Sequence, residues 1–154
     1  MTKRGWIVAL VVVSSFFAWR QLRGSDRDRD RVGVADRIWI DHIPSSDRDA
    51  VNAFIVLTEE PVGIFQQSSV WRGAFEIFRW EGRGDQLRVV YPQTGEKETI
   101  RARATRCDER GMDYCLEVSG ASHGVAKYYS RKGWEIDGDD LAGATRALAS
   151  LVRQ

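Results

Sequence analysis

Cys107 and Cys115 are the only cysteines in this 154-residue chain. They are not spaced as C-x-x-C, which argues against a thioredoxin-type redox centre. Two cysteines without a second ligand pair do not make a zinc site. The segment between them, "DERGMDY", carries the turn residue Gly111, and strand-like residues lie on both sides. The pattern predicts a disulfide across a hairpin, with two free buried thiols as the alternative. Closing so short a loop contributes about 2–3 kcal/mol. An exported domain favours the oxidised form.

Other motifs lead to less chemistry. "GASHG" at 120–124 matches the G-x-S-x-G pattern, with Ser122 at the nucleophile position. That elbow needs a strand before it, a helix after it and a large α/β sheet. A strand-like segment follows instead, and His123 is too close in sequence to turn toward Ser122. Only His42 is left as a base, so a turn is the better reading and a small hydrolase the weaker one. Asp26, Asp28 and Asp30 have the 1-3-5 spacing of a calcium loop, but Arg31 and Arg37 occupy the positions that need glycine and glutamate. "YPQTG" at 91–95 resembles a sorting signal but lies mid-chain between strands, where it reads as a turn. Two histidines far apart in sequence give no metal site, and no phosphate loop or nucleotide fingerprint is present. No metal and no cofactor are expected, and the chain is not expected to be an enzyme.

The N-terminus bears on the compartment. Lys3 and Arg4 precede an uncharged, mostly apolar run from Gly5 to Trp19, and Arg20 and Arg23 follow it. This order fits a secretory signal or a retained anchor. A 15-residue helix reaches about 22 Å against roughly 30 Å of hydrocarbon, so an anchor needs Trp6 and Trp19 at the interfaces and snorkelling basic ends. Small residues are poorly placed for cleavage, which favours the anchor; a cleaved signal would leave a secreted protein. Residues 1–23 are therefore read as a membrane anchor or signal, contacting the membrane through residues 5–19. The folded part is expected on the extracytoplasmic, periplasmic side. Residues 24–36, "GSDRDRDRVGVAD", read as a self-neutralising charged linker.

Residues 37–154 form the folded domain. They hold sixteen basic and eighteen acidic side chains, which leaves no broad basic surface for nucleic acid. Strand-like segments recur at 37–43, 62–71, 73–80, 86–91, 98–106, 113–119 and 126–136, with turn residues between most of them. Residues 47–57 are ambiguous. Ser46 and Asp49 could cap a helix, whereas "AFIVLTE" suggests the strand preferred here. Leu87, Val89 and Tyr91 share one face. Ile100, Ala102 and Ala104 share another, with Arg101 and Arg103 opposite; so do Tyr114, Leu116 and Val118. "AFEIF" breaks this alternation and suggests a bulge or burial on both faces. Residues 139–153 form a helix capped by Asp139 or Asp140, with Leu141, Ala144, Leu148 and Leu151 as its apolar stripe.

About eight short antiparallel strands and a final helix predict a mainly β fold: an up-and-down barrel with a C-terminal α-helix, preceded by the N-terminal transmembrane or signal helix. The order of elements resembles the lipocalin-like (calycin) barrels, which carry a helix after the last strand. "MDYC" at Met112–Cys115 is similar to the "TDY" block of that family, while "RIWI" stands where its glycine-x-tryptophan would be. No ligand residue is carried over from the family.

The fold class and the location favour a membrane-tethered binding module over an enzyme. Phe65, Trp71, Phe78, Trp80, Tyr91, Tyr114, Tyr128 and Trp134 could line a pocket for a small hydrophobic ligand; strand aromatics can equally be plain core. The alternative is a cell-envelope interaction or scaffold module with a solid core. It would meet a protein partner through Trp39, Trp71 or the Arg101 and Arg103 face.

Overall fold

The computed structural model describes residues 32–46, 48–69 and 73–152. The expected anchor, most of the charged linker and Trp71 lie outside these residues. Eight strands follow in chain order: β1 (Trp39–Ile40), β2 (Val51–Val56), β3 (Val62–Ser68), β4 (Gly73–Arg83), β5 (Gln86–Val90), β6 (Lys97–Glu109), β7 (Met112–Ser119) and β8 (Lys127–Ser130). Each pairs antiparallel with its neighbours, and Ile40 opposite Tyr129 closes the ring. Closure leaves no free sheet edge. Among the described residues one α-helix follows, α1 (Leu141–Val152), and no helix is long and apolar enough to cross a membrane.

The period of two along each strand separates two apolar clusters. The inner one fills the barrel with Trp39, Phe54, Phe65, Phe78, Tyr91, Tyr128 and the aliphatic side chains between them. The outer one lies between the barrel wall and α1 and contains Ile38, Val51, Ala53, Ile55, Tyr129, Ala144 and Leu148. β2 contributes to both clusters, which is why "AFIVL" reads as one continuous apolar run. Asp140 caps α1: its Oδ1 accepts the Gly143 N–H at 2.6 Å, and its carbonyl accepts that of Ala144 at 2.9 Å. Ala144 and Leu148 are buried, with Leu141 and Leu151 packed beside them. Burying a leucine side chain of this kind contributes about 1.5–3 kcal/mol, and this docking offsets the helix-weakening Gly143.

Three expectations are corrected. Of the two readings of "AFEIF", the bulge is corrected and burial on both faces holds, with Phe78 in the inner cluster and Ile77 against the outer one. β4 runs in regular register against β3, with Phe78 inward and Phe75 and Ile77 outward. The irregularity lies in β6, where the register against β7 shifts between Arg106 and Glu109. Trp39 cannot be an interaction surface: it is fully buried, and its indole N–H donates to the Val34 carbonyl at 2.8 Å. The last strand ends at Ser130 rather than 136. A turn there lets the Trp134 N–H reach the Arg131 carbonyl at 3.3 Å, and the Trp134 side chain joins the outer cluster. Within the stretch read as linker, Val32, Val34 and Ala35 pack against the inner cluster.

The cysteines form the expected disulfide between β6 and β7, with Cα atoms 5.7 Å apart. Both lie in the outer cluster.

Candidate functional site

The described parts of the loops β1–β2, β5–β6 and β7–β8 lie at one end of the barrel, where β3 ends and β4 begins. The turn "YPQTG" is the β5–β6 loop, closed by the Gly95 N–H donating to the Tyr91 carbonyl at 2.8 Å. A cleft of about 330 Å³ opens at this end. Register explains its walls. Asn52 stands opposite Gln67, and Gln67 opposite Ala74, all on the inward parity of their strands. Glu76 is on the same parity, opposite Phe65. Ser122, His123 and Gly124, from the β7–β8 loop, complete the lining.

The floor is made of rings. The Phe65 centroid lies 4.9 Å from Phe54 and 5.3 Å from Phe78, and Tyr128 is 5.8 Å from Phe54. Tyr91 meets Phe78 edge-on at 6.1 Å. These are contact distances for aromatic pairs, and the rings plug the barrel below the cleft. Gly63 shows how tightly: a Cβ there would sit 2.3 Å from two ring carbons of Phe78.

The β7–β8 loop is fastened over this floor at two points. The Ser122 N–H donates to Glu98 Oε2 at 3.0 Å, and the Val125 N–H donates to the Tyr128 hydroxyl oxygen at 2.8 Å. Gly124 has positive φ, and a Cβ on it would meet the Tyr128 hydroxyl at 2.1 Å and the Phe65 ring at 2.6 Å. Only glycine fits where the loop crosses the rings. The His123 ring lies edge-on to Tyr91 at 5.0 Å. Tyr91 donates its hydroxyl proton to Glu98. Burial first, and then the Glu98 carboxylate, push the Tyr91 hydroxyl well above the ordinary phenol range. Burial also pushes the Tyr128 hydroxyl up, to about 12. Both are fixed neutral groups.

A second polar cluster holds the β1–β2 loop. Asp41 accepts the Asn52 backbone N–H at 3.0 Å and its side-chain amide at 2.6 Å. His42 has Nδ1 2.8 Å from Asp41 and Nε2 3.0 Å from Asp49. Asp49 also accepts the N–H of Ser45 at 2.9 Å and its hydroxyl at 3.0 Å. The Ser45 N–H, and then His42 and the Ser45 hydroxyl, lower the Asp49 carboxyl to about 2. His42 is therefore held between two carboxylates. No hydrogen bond among the described residues joins a histidine to Ser122, whose backbone N–H is held by Glu98. Among these residues no group of three His, Cys, Asp or Glu side chains is arranged to hold a metal.

Of the aromatics read as pocket-lining, Phe65, Phe78, Tyr91 and Tyr128 converge in the plug. Trp80 and Tyr114 pack against the inner cluster. The Trp80 indole N–H donates to the Leu57 carbonyl at 2.9 Å, and the Arg37 guanidinium lies 4.4 Å from the Tyr114 ring centre. Trp134 lies outside the barrel. Reading aromatics alone misses Asn52, Gln67, Glu76 and Glu98. Their signal is parity: Glu98 is in phase with Ile100, Ala102 and Ala104, so it points inward at the mouth. No protein-family model matches this chain, and neither does any curated protein or solved structure compared with it.

Proposed function

We propose that this domain is a binding module, not an enzyme, and that it takes a small ligand at the barrel mouth. It carries no long apolar molecule through its middle. The observation that carries this reading is the ring plug: Phe54, Phe65, Phe78 and Tyr128 pack at contact distance directly below an open, polar-walled cleft. An apolar guest in the middle would have to displace these side chains and lose their mutual contacts. The closed eight-stranded barrel with a helix docked outside after the last strand supports the reading of a binding module, and the plug moves the site from the interior to the mouth.

We also propose that the domain stands outside the cytoplasm, tethered by residues 5–19. The apolar run with basic flanks and the Cys107–Cys115 disulfide support this. A reporter fused after Gln154 should be active only when exported.

Blocking the mouth tests the binding reading. Ala74 faces the cleft at its rim, away from the plug. Ala74→Trp should leave the fold intact and remove the small molecules that co-purify with the wild-type protein from its native source, read by mass spectrometry of extracts. Equal recovery from both proteins contradicts mouth binding.

A further inference from the structure

We infer that the mouth cleft selects a small organic cation bearing an aromatic ring, such as an arylalkylamine. The inference rests on the mouth-binding reading and adds the chemical class. Three observations lead to it. First, no lysine or arginine is among the described residues that line the cleft. Second, Glu76 stands on the inner wall, partly buried, with no hydrogen bond or ion pair among the described residues. The other inward carboxylate nearby, Glu98, is already engaged by Tyr91 and Ser122. Third, the cleft pairs that carboxylate with rings: Phe65 at the floor, with the His123 imidazole 6.5 Å from it.

A partly buried carboxylate with no partner among the described residues is costly, and a bound ammonium or guanidinium would relieve that cost. Aromatic faces attract a cation as well as an apolar ring. The amides of Asn52 and Gln67 add neutral acceptors for the remaining N–H groups. An anion would meet Glu76 with no positive group among the described lining residues to balance it. The cleft volume of about 330 Å³ is at the small end of ligand sites, which suits one ring and a short chain.

The test uses the full-length chain and three probes of one shape: 2-phenylethylamine, 2-phenylethanol and 3-phenylpropionate. Amide NMR shifts of Gln67, His123 and Gly124 report the mouth. The amine should move these signals and bind at least tenfold more tightly than the alcohol, with the propionate weakest. Glu76→Gln should erase the preference for the amine over the alcohol, while Glu81→Gln, on the outer face, should not. The comparison of probes on the wild-type chain stands even if the Glu76 variant fails to fold. Mouth signals that respond equally to the amine and the alcohol overturn the cation class and leave mouth binding in place. No response to any of the three overturns the class and counts against mouth binding as well.

Discussion

Cys107 and Cys115 share one face of the β6–β7 ladder, although the register set by their turn would place them on opposite faces. Glu109 pairs with Met112 beside the turn, and continuing that register puts Cys107 opposite Tyr114. Beyond the irregularity Thr105 pairs with Cys115 and Arg106 with Tyr114. Along β6 the alternation that turns Ala102 and Ala104 inward keeps Arg101, Arg103, Thr105 and Cys107 on the outer side, and Cys115 lies outward between the inward Tyr114 and Leu116. The shift brings the alternations of β6 and β7 into phase, so that Ala104 faces Leu116, and the two outward cysteines bond at a Cα separation of 5.7 Å.

Replacing both cysteines by serine should lower stability by about 2–3 kcal/mol through lost loop-closure entropy. Urea unfolding of wild type and variant under oxidising conditions measures this. Adding reductant to the wild type should reproduce most of the loss. Unchanged midpoints would show that the bond is absent in the native protein.

Gly63→Ala should destabilise the barrel by about 1–3 kcal/mol, since the added methyl overpacks the plug. Shrinking the ring it strikes, as in Gly63→Ala with Phe78→Leu, should recover part of that loss. A neutral Gly63→Ala would mean that the middle of the barrel has free space.

Glu98→Gln should loosen the β7–β8 loop by weakening the bond to the Ser122 N–H and the bond from Tyr91. The expected cost is about 1 kcal/mol at this partly exposed position. Hydrogen exchange at Ser122 should speed up, while exchange in β2 should not change. Equal protection at Ser122 in both proteins would remove Glu98 as the fastener.

Asp49 fixes a pH dependence. Its carboxyl is lowered from 3.8 to about 2 in the folded state. A lowered carboxylate stabilises the fold at pH values above the unfolded pKa, and that contribution disappears as the pH falls through the folded value. The β1–β2 loop should therefore keep its order down to about pH 4 and lose the Asp49 contribution between about pH 4 and pH 2. The carboxyl carbon shift of Asp49 should titrate near 2. A midpoint near 4 would show that the bonds from Ser45 and His42 are not held in solution.

Much of this architecture is legible in the chain. Leu87–Val89–Tyr91 and Ile100–Ala102–Ala104 alternate cleanly because one side of each strand meets solvent. The helix is legible from Asp140 and the Leu141, Ala144, Leu148 and Leu151 stripe. β2 is ambiguous because both its faces are covered, so it has no polar phase to read. The β6 bulge leaves no local mark, since it exists only as a mismatch between the turn register and the ladder beyond it. Strand segments predict that rings face inward, but not that four of them meet and close the middle. That depends on register across β2, β3, β4 and β8. Glu76 is hidden by the apolar neighbours that made its segment look irregular.

The central claim is that ligands engage the mouth and leave the plug in place. Amide and aromatic NMR shift mapping of the full-length chain with small molecules extracted from its native source tests it most directly. The account predicts shifts at Gln67, Glu76, Ser122, His123 and Gly124, with the ring signals of Phe54 and Phe78 unmoved. Large shifts at Phe54, Phe78 and Ile100 with a silent mouth would contradict it, because the ligand would then occupy the middle of the barrel.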